Sequence, residues 1–388
     1  MRASMRGISI LAVCLATALI SACSRTEAKA PDPKPWDQKA AASYLDQREG
    51  WWMQWPGAAR DHGTFCVSCH TAMPYALARP ALRTALGEEG PSVNERKLVE
   101  DVTKRVRLWK DLAPYYEDHG YKPAESRGTE AVLNALVLAS YDAPSGHLSP
   151  DTRTAFDNMW ALQETAGDES GAWHWLQFDL QPWEANDSQY YGATLAAVAV
   201  GIAPEDYRSA PEIQNNLKLL REYLARDYAA QSTINRVDLL WASTKLPGLL
   251  TPEQRASIIK EVLSKQQADG GWRLSSLVWS SRGWSLSSLA SSWIMRSVKE
   301  DGTPPELNSD GYATGLITFV LQQAGVPRDN VHLQQGLSWL LRNQDVPEGL
   351  WRSDSLNKRR NPSSDTQLFM SDAATAYAVL ALSENNQH

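Results

Sequence analysis

One pattern occurs three times in the second half of this chain and limits the folds available to it. In each copy an amphipathic stretch ends in a glutamine, a short turn rich in glycine and acidic residues follows, and a tryptophan comes next. The three pairs are Gln163 with Trp173, Gln267 with Trp272, and Gln344 with Trp351. A stretch of small apolar residues with one threonine follows each copy, and these threonines are Thr194, Thr314 and Thr375. Self-similarity at this range of spacing indicates stacked units that bury their apolar faces against one another.

Hydrophobic periodicity predicts that each unit is a pair of helices. Charged, amphipathic helices are expected at 93–113, 150–165, 211–228, 251–267 and 330–343. Helices that are apolar on nearly all sides are expected at 127–141, 188–201, 233–246, 310–324 and 371–383, and such helices must be packed on every side. Strand signals are weak throughout, so the predicted fold class is all-α.

A second motif, Cys66-Val67-Ser68-Cys69-His70, has the spacing of a c-type haem attachment site. Two thiols can add to the two vinyl groups of one haem, and the adjoining imidazole can reach the iron. A redox disulfide would leave His70 unexplained. Half of a zinc site would need further ligands, and the remaining cysteines lie in the first 23 residues. We therefore expect one covalent haem c, held by Cys66 and Cys69, with His70 as the proximal ligand of the haem iron.

The first residues predict export and lipidation. Arg2 and Arg6 precede an apolar stretch at 8–20 that is too short to span a membrane, and the stretch ends in a lipobox-like Ile-Ser-Ala-Cys at 20–23. We expect a signal peptide at 1–22, acylation of Cys23, and a polar, Pro-rich tether at 23–35. Ser24 after the cysteine favours the outer membrane, facing the periplasm. The alternative is an ordinary signal peptide that happens to contain a cysteine.

The Gln-turn-Trp repeats resemble those of squalene–hopene cyclases and protein prenyltransferases, the α/α toroids, over residues 125–385. As a whole, the chain resembles bacterial lipoproteins that join a C-x-x-C-H segment to such a toroid. The resemblance implies a short cytochrome c-like haem-binding segment at 36–124 and a toroid of helical hairpins at 125–388. It also implies a central cavity that can bind a lipophilic molecule. The glutamine and tryptophan side chains are then expected to join neighbouring hairpins rather than to catalyse a reaction.

The activities of the toroid families do not carry over to this sequence. The D-x-D-D acid of the cyclases is absent, only five phenylalanines are present, and no cysteine beyond Cys69 could serve a prenyltransferase zinc site. A net charge of −7 without a basic run argues against a nucleic-acid partner. The fold alone therefore supplies no function.

Three features of the sequence leave alternatives open. The distal ligand of the haem is expected to be Met53, His62 or His119, or the iron is five-coordinate, and Met53 is the methionine singled out. Polar residues at the starts of the apolar helices either line the mouth of a cavity or cap the helices. These residues are Arg127, Glu130, Asp187, Tyr190, Asp310, Tyr312, Asp372 and Tyr377. A tandem duplication, 271–282 followed by 283–294, is either a lid or the product of slippage.

Two classes of function follow from this sequence. In the first, the haem exchanges electrons with a partner protein or with a lipophilic molecule in the toroid, and if the chain is an enzyme it is a haem-dependent oxidoreductase. In the second, the toroid is a binding or scaffold module and the haem is a sensor or a structural plug. A terpenoid cyclase is the weakest reading because its catalytic acid is missing.

Overall fold

A computed structural model describes residues 35–117, 120–278, 299, 303, 306–362 and 364–384. The regular secondary structure of the described residues is nearly all helical, with thirteen α-helices and one two-stranded sheet, so the predicted all-α class is confirmed. The export segment, Cys23 and His119 lie outside the described residues, as do residues 279–282 of the first copy of the tandem duplication and the whole second copy, 283–294.

The helices alternate along the chain as the periodicity predicts. They are α1 Gln38–Gln54, α2 Ala72–Leu86, α3 Val93–Arg107, α4 Lys122–Asp142, α5 Pro150–Ala161, α6 Ser188–Ile202, α7 Glu205–Arg208, α8 Gln214–Asp227, α9 Thr233–Lys245, α10 Pro252–Ser264, α11 Gly311–Gln323, α12 Val331–Arg342 and α13 Phe369–Glu384. Strands β1 Ala59–Arg60 and β2 Thr64–Phe65 pair antiparallel. Within the described part of the chain, no helix combines the length and hydrophobicity needed to cross a bilayer.

Two kinds of helix differ in burial. The amphipathic helices bury one stripe and begin at strong caps. For example, Ser92 and Glu95 form a reciprocal capping box at α3, and Thr251 and Gln254 form another at α10. The apolar helices are buried on every side, as α6 is throughout 188–200. The predicted division into outer and inner helices is therefore confirmed.

The buried helices contact one another in a closed cycle. In order, α4 packs against α6, α6 against α9, α9 against α11, α11 against α13, α13 against α2, and α2 against α4. Outside this cycle, α3 and α5 pack against α4, α8 against α6, α10 against α9, and α12 against α11 and α13. Helix α1 packs against α2 and α13. Of the helices in the predicted haem segment, α2 thus belongs to the same cycle as the repeat helices, and α1 and α3 pack outside it. The predicted domain boundary at 124/125 lies within the first turn of α4 and stays a prediction.

The repeat tryptophans fasten each turn to the helix before it. The indole Nε1 of Trp173 donates to the carbonyl of Met159 at 2.6 Å, that of Trp272 to Val262 at 2.9 Å, and that of Trp351 to Leu340 at 2.8 Å. Each acceptor lies near the C-terminal end of an outer helix, where backbone carbonyls lack helical partners. All three tryptophans are fully buried, so their role is structural.

The glutamines join neighbouring turns, with one correction to the predicted register. Gln163 Nε2 donates to the carbonyls of Gly171 and Asn216, both at 3.1 Å. In the second copy this bridge is made by Gln266, whose Nε2 donates to Gly270 and His332, both at 2.8 Å. The predicted residue, Gln267, instead uses its backbone N–H in the turn, as Glu164 does after Gln163. In each of these two copies, the bridging glutamine therefore comes directly before the residue whose backbone N–H closes the turn.

The third glutamine connects the end of the chain to its beginning. Gln344 accepts a hydrogen bond from the Asp37 N–H at 2.7 Å and donates to the Asp37 carbonyl at 2.9 Å. Asp37 is the N-cap of α1, and its carboxylate accepts from the Ala40 N–H. Helix α1 therefore stands after α12 in the position that the next repeat would take.

Candidate functional site

The Cys-x-x-Cys-His segment forms the connection between β2 and α2. The Cys66 N–H donates to the Ala58 carbonyl at 3.0 Å, and the indole of Trp52 donates to the Cys66 carbonyl at 2.8 Å. Ser68 Oγ accepts from the N–H groups of Thr71 and Ala72, which begin α2. These bonds hold the motif at the N-terminal end of a buried helix.

Both cysteines of the motif are free and buried in the described chain. Burial raises the pKa of Cys66 to about 11 and that of Cys69 well above its usual range. Within the described residues, no three His, Cys, Asp or Glu side chains are grouped so that they could hold a metal ion. Cys66, Cys69 and His70 are therefore not arranged around one point, as a zinc site requires.

The imidazole of His70 lies among aromatic rings. It stacks on Phe369 with ring centroids 3.8 Å apart, meets the edge of Trp52 at 5.0 Å, and lies 6.1 Å from Trp183. Burial lowers the pKa of His70 to about 3, and the positive charges of Arg48 and Arg360 act in the same direction. The ring is therefore neutral at neutral pH, which is the form that coordinates a metal.

One nitrogen of this imidazole is held by a chain of buried polar groups. His70 Nδ1 lies 2.8 Å from Thr71 Oγ1, and that hydroxyl donates to Asp372 Oδ2 at 2.7 Å. Asp372 also accepts from Tyr44 and from two guanidinium nitrogens of Arg48. Asp372 lies in the first turn of α13, so the end of the chain supports the histidine near its beginning.

A cavity of about 220 Å³ opens beside the motif and is lined by Cys66, Cys69 and His70. Other lining side chains come from distant parts of the chain and include Trp55, Tyr116, Trp183, Glu184, Arg360 and Met370. Asn357 joins two of these parts because its amide accepts from the Gln181 N–H at 2.9 Å and donates to the Gln181 carbonyl at 3.0 Å. Aromatic walls with a few polar groups are typical of cofactor sites.

The residues present fit a covalent haem in their chemistry, while the volume is small for one. Two thiols and a neutral imidazole face the same cavity. Ligand sites usually enclose roughly 300–1,000 Å³, so side chains such as Phe369 would have to shift to admit a macrocycle.

Several lining residues were not predicted from the sequence. Burial raises the pKa of Glu184 to about 7, and Lys122 partly opposes this rise. Arg360 lies over the ring of Phe369 at 5.7 Å, and burial lowers its pKa. Met370 is buried at the cavity wall. Of these residues, only Met370 lies close in sequence to a predicted feature, the helix start at Asp372.

The predicted distal ligands have different positions. Met53 is half-buried on α1 and is not among the described residues that line the cavity. His62 is exposed in a short turn with φ of 55°, and His119 lies outside the described residues. Met53 therefore stays a prediction, and Met370 is the methionine that the fold brings to the cavity.

The polar residues at the starts of the inner helices have different roles. Asp310 caps α11 through the Ala313 N–H, so capping is confirmed there. Asp187 stands at the N-cap of α6 without a side-chain cap bond, and it accepts instead from Asn235 at 3.2 Å. Glu130 binds Arg105 at 2.5 Å in a buried ion pair.

The remaining members of this set also have different surroundings. Arg127 lies against Trp109, and the Tyr190 hydroxyl donates to the Leu224 carbonyl. Tyr312 accepts a hydrogen bond from Trp183 at 3.0 Å. The Tyr377 hydroxyl has no hydrogen-bond partner among the described residues. None of the eight polar residues is among the described residues that line the cavity, and Asp372 is connected to it through Thr71 and His70.

No protein-family model matches the chain, and no curated protein matches it closely enough to count as a relative.

Proposed function

We propose that this chain is a periplasm-facing lipoprotein that carries one covalent haem c on Cys66 and Cys69 and acts in electron transfer or redox chemistry. One observation carries the proposal. A neutral His70, with Nδ1 held by Thr71, lies beside two free thiols at a single cavity.

Different residues of the site would have different roles in holding the haem. Each thiol would form one thioether bond, and His70 would offer Nε2 because Nδ1 is already occupied. The aromatic walls, Trp52 and Phe369 among them, would exclude water from the imidazole. When bound, the haem supplies an iron that changes its oxidation state by one electron.

We further propose that the inner helices form the α/α toroid that the sequence resembles. The closed cycle of contacts from α4 round to α2 and the bond between Gln344 and Asp37 support this proposal. The cavity lies beside the N-terminal ends of α2 and α13, at His70 and Phe369, and beside the N-terminal half of α4, at Thr129. A lipophilic molecule or a redox partner protein would then meet the haem at this mouth.

Acid-acetone extraction tests the attachment. Expressed with a c-type maturation system, the full chain should keep its haem in the protein pellet, because thioether bonds survive this treatment. Cys69→Ala should lose most of the covalently bound haem, and Val67→Ala, within the same motif, should keep it. Loss of all haem from the wild-type chain would contradict the proposed covalent attachment.

The anchor is tested separately by fractionation. Cys23→Ser should move the protein from the membrane fraction to the soluble periplasm, because the acyl chains would be missing. Ser24→Ala is the matched control and should stay with the membrane. Retention of Cys23→Ser on membranes washed in high salt would contradict a lipid anchor at Cys23.

Turnover is tested by watching the spectrum of the haem. Under anaerobic conditions, the reduced protein should be reoxidised when a membrane lipid extract or the redox partner is added. A haem that stays reduced in both cases would favour a sensor or scaffold role.

A further inference from the structure

A buried series of hydrogen bonds connects His70 to Asp372, in the first turn of α13. It passes from His70 Nδ1 to Thr71 Oγ1 at 2.8 Å and from Thr71 Oγ1 to Asp372 Oδ2 at 2.7 Å. Thr71 is 3% exposed and Asp372 1% exposed. We propose that Thr71 and Asp372 are positioning residues that fix the tautomer of His70 and lower the reduction potential of the iron it binds. This inference rests on the proposed haem site.

The direction of each proton follows from Arg48. Its Nε donates to Asp372 Oδ1 at 2.7 Å, and its Nη2 donates to Oδ2 at 3.0 Å. A guanidinium can only donate and keeps its charge in proteins. The Tyr44 hydroxyl adds a third donor, at 2.7 Å from Oδ1. Burial raises the pKa of Asp372, but these donors oppose the rise and favour the carboxylate.

With Asp372 ionised, the tautomer of His70 is determined. The single hydroxyl proton of Thr71 points to Asp372, so Thr71 Oγ1 can only accept from the imidazole. Nδ1 therefore carries the ring proton, and Nε2 keeps its lone pair. Histidines that bind metals commonly donate their other N–H in this way, and the partner raises the basicity of the ligand.

The hydrogen bonds from His70 through Thr71 to Asp372 should also shift electron density toward the iron. A hydrogen bond that ends on a carboxylate is stronger than one between neutral groups, and burial reduces screening by water. The Nδ1–H bond is therefore polarised, and Nε2 becomes the stronger donor. A stronger donor stabilises ferric iron more than ferrous iron, which lowers the midpoint potential.

A purely structural role makes a different prediction. Arg48 and Asp372 lie on α1 and α13, and their ion pair could serve only to hold these helices together. In that case, loss of the Thr71 hydroxyl would change the thermal stability and leave the potential and the imidazole signals unchanged.

The test compares Thr71→Val with Thr71→Ser in the full-length holoprotein. Valine keeps the shape and removes the hydroxyl, whereas serine keeps the hydroxyl. We expect Thr71→Val to raise the midpoint potential in a spectroelectrochemical titration and to shift the imidazole resonances in proton NMR. Thr71→Ser should restore values close to the wild type. Equal potentials in all three proteins, with haem bound, would overturn the inference.

Thr375→Val is the matched control. Thr375 is also fully buried, but its hydroxyl accepts from the Trp351 N–H and donates to the Ser371 carbonyl, away from the imidazole. Its loss should lower the melting temperature without moving the potential. A shift as large as that of Thr71→Val would mean that the potential reports general loosening, and the inference would fail. Absence of covalent haem in the wild type would instead defeat the proposed function.

Discussion

Replacing Arg48 with methionine should destabilise the protein strongly at neutral pH. Arg48 is 5% exposed and makes two bonds to Asp372, a carboxylate that is 1% exposed. It also donates to Asp365, whose side chain is exposed. Removing one partner of a buried ion pair costs about 3–5 kcal/mol, because the remaining charge stays buried without an opposite charge beside it.

The effect should depend on pH with a defined sign. Burial already raises the pKa of Asp372, and Arg48 counteracts that rise. Without Arg48, the folded-state pKa moves further above the unfolded value of about 3.9. Folded Asp372 then binds more protons than unfolded Asp372, so the free energy of unfolding falls as pH rises. The penalty of Arg48→Met should therefore shrink as pH falls through the raised pKa.

Urea denaturation at several pH values measures this. Tryptophan fluorescence and far-UV circular dichroism should give coincident transitions for the wild type and for Arg48→Met. Arg352→Met is the matched control, because Arg352 pairs with Asp345 and Glu348 with 57% of its side chain exposed. Such a surface pair contributes only about 0–1 kcal/mol. An Arg48→Met penalty below about 1 kcal/mol, or one that does not change with pH, would refute the buried-charge reasoning.

Three further predictions concern the attachment, the turn near α1 and the distal side of the iron. Cys69→Ala should reduce the haem band of the protein on a denaturing gel stained for peroxidase activity, since one thioether is lost; an undiminished band would argue against attachment at Cys69. Gly349→Ala should lower the melting temperature far more than Gly146→Ala. Both glycines have φ above 70°, but an added Cβ at Gly349 would lie 2.1 Å from a backbone oxygen of α1. Equal losses of stability in the two variants, each near the roughly 1 kcal/mol of backbone strain alone, would contradict that close approach. If a methionine binds the ferric iron, Met370→Ala should remove its near-infrared charge-transfer band and Met53→Ala should leave it, because Met370 is the one methionine among the described residues that lines the cavity; the opposite pattern would place Met53 on the iron.

Much of the fold could be predicted from the sequence. The periodicity separates outer from inner helices, because a helix packed on every side has little room for charge, as α6 demonstrates. Trp173 and its two counterparts were correctly expected to be structural. The register of the glutamine at 266 and 267 could not be read from spacing alone, because it depends on which backbone N–H closes the turn.

Less of the site could be predicted. Cys66, Cys69 and His70 are adjacent in sequence and therefore recognisable as a motif, although the haem itself stays a prediction. From the sequence, Asp372 is recognisable only as a helix-start residue, because nothing local indicates that it supports the distant His70. Cavity residues such as Glu184 and Arg360 come from irregular segments, whose position depends on tertiary packing rather than on a repeating pattern.

The connection between the two ends of the chain has a consequence for the order of folding. Thr71 and Asp372 are separated by 301 residues, and Asp37 and Gln344 by 307. Contacts of such long range form late, because the loop-closure entropy is lost before the contacts can compensate for it. Asp372 is synthesised 301 residues after Thr71, which directly follows the attachment motif. Attachment chemistry would therefore meet an open, accessible Cys-x-x-Cys-His segment, and closure of the helices would follow around a group already in place.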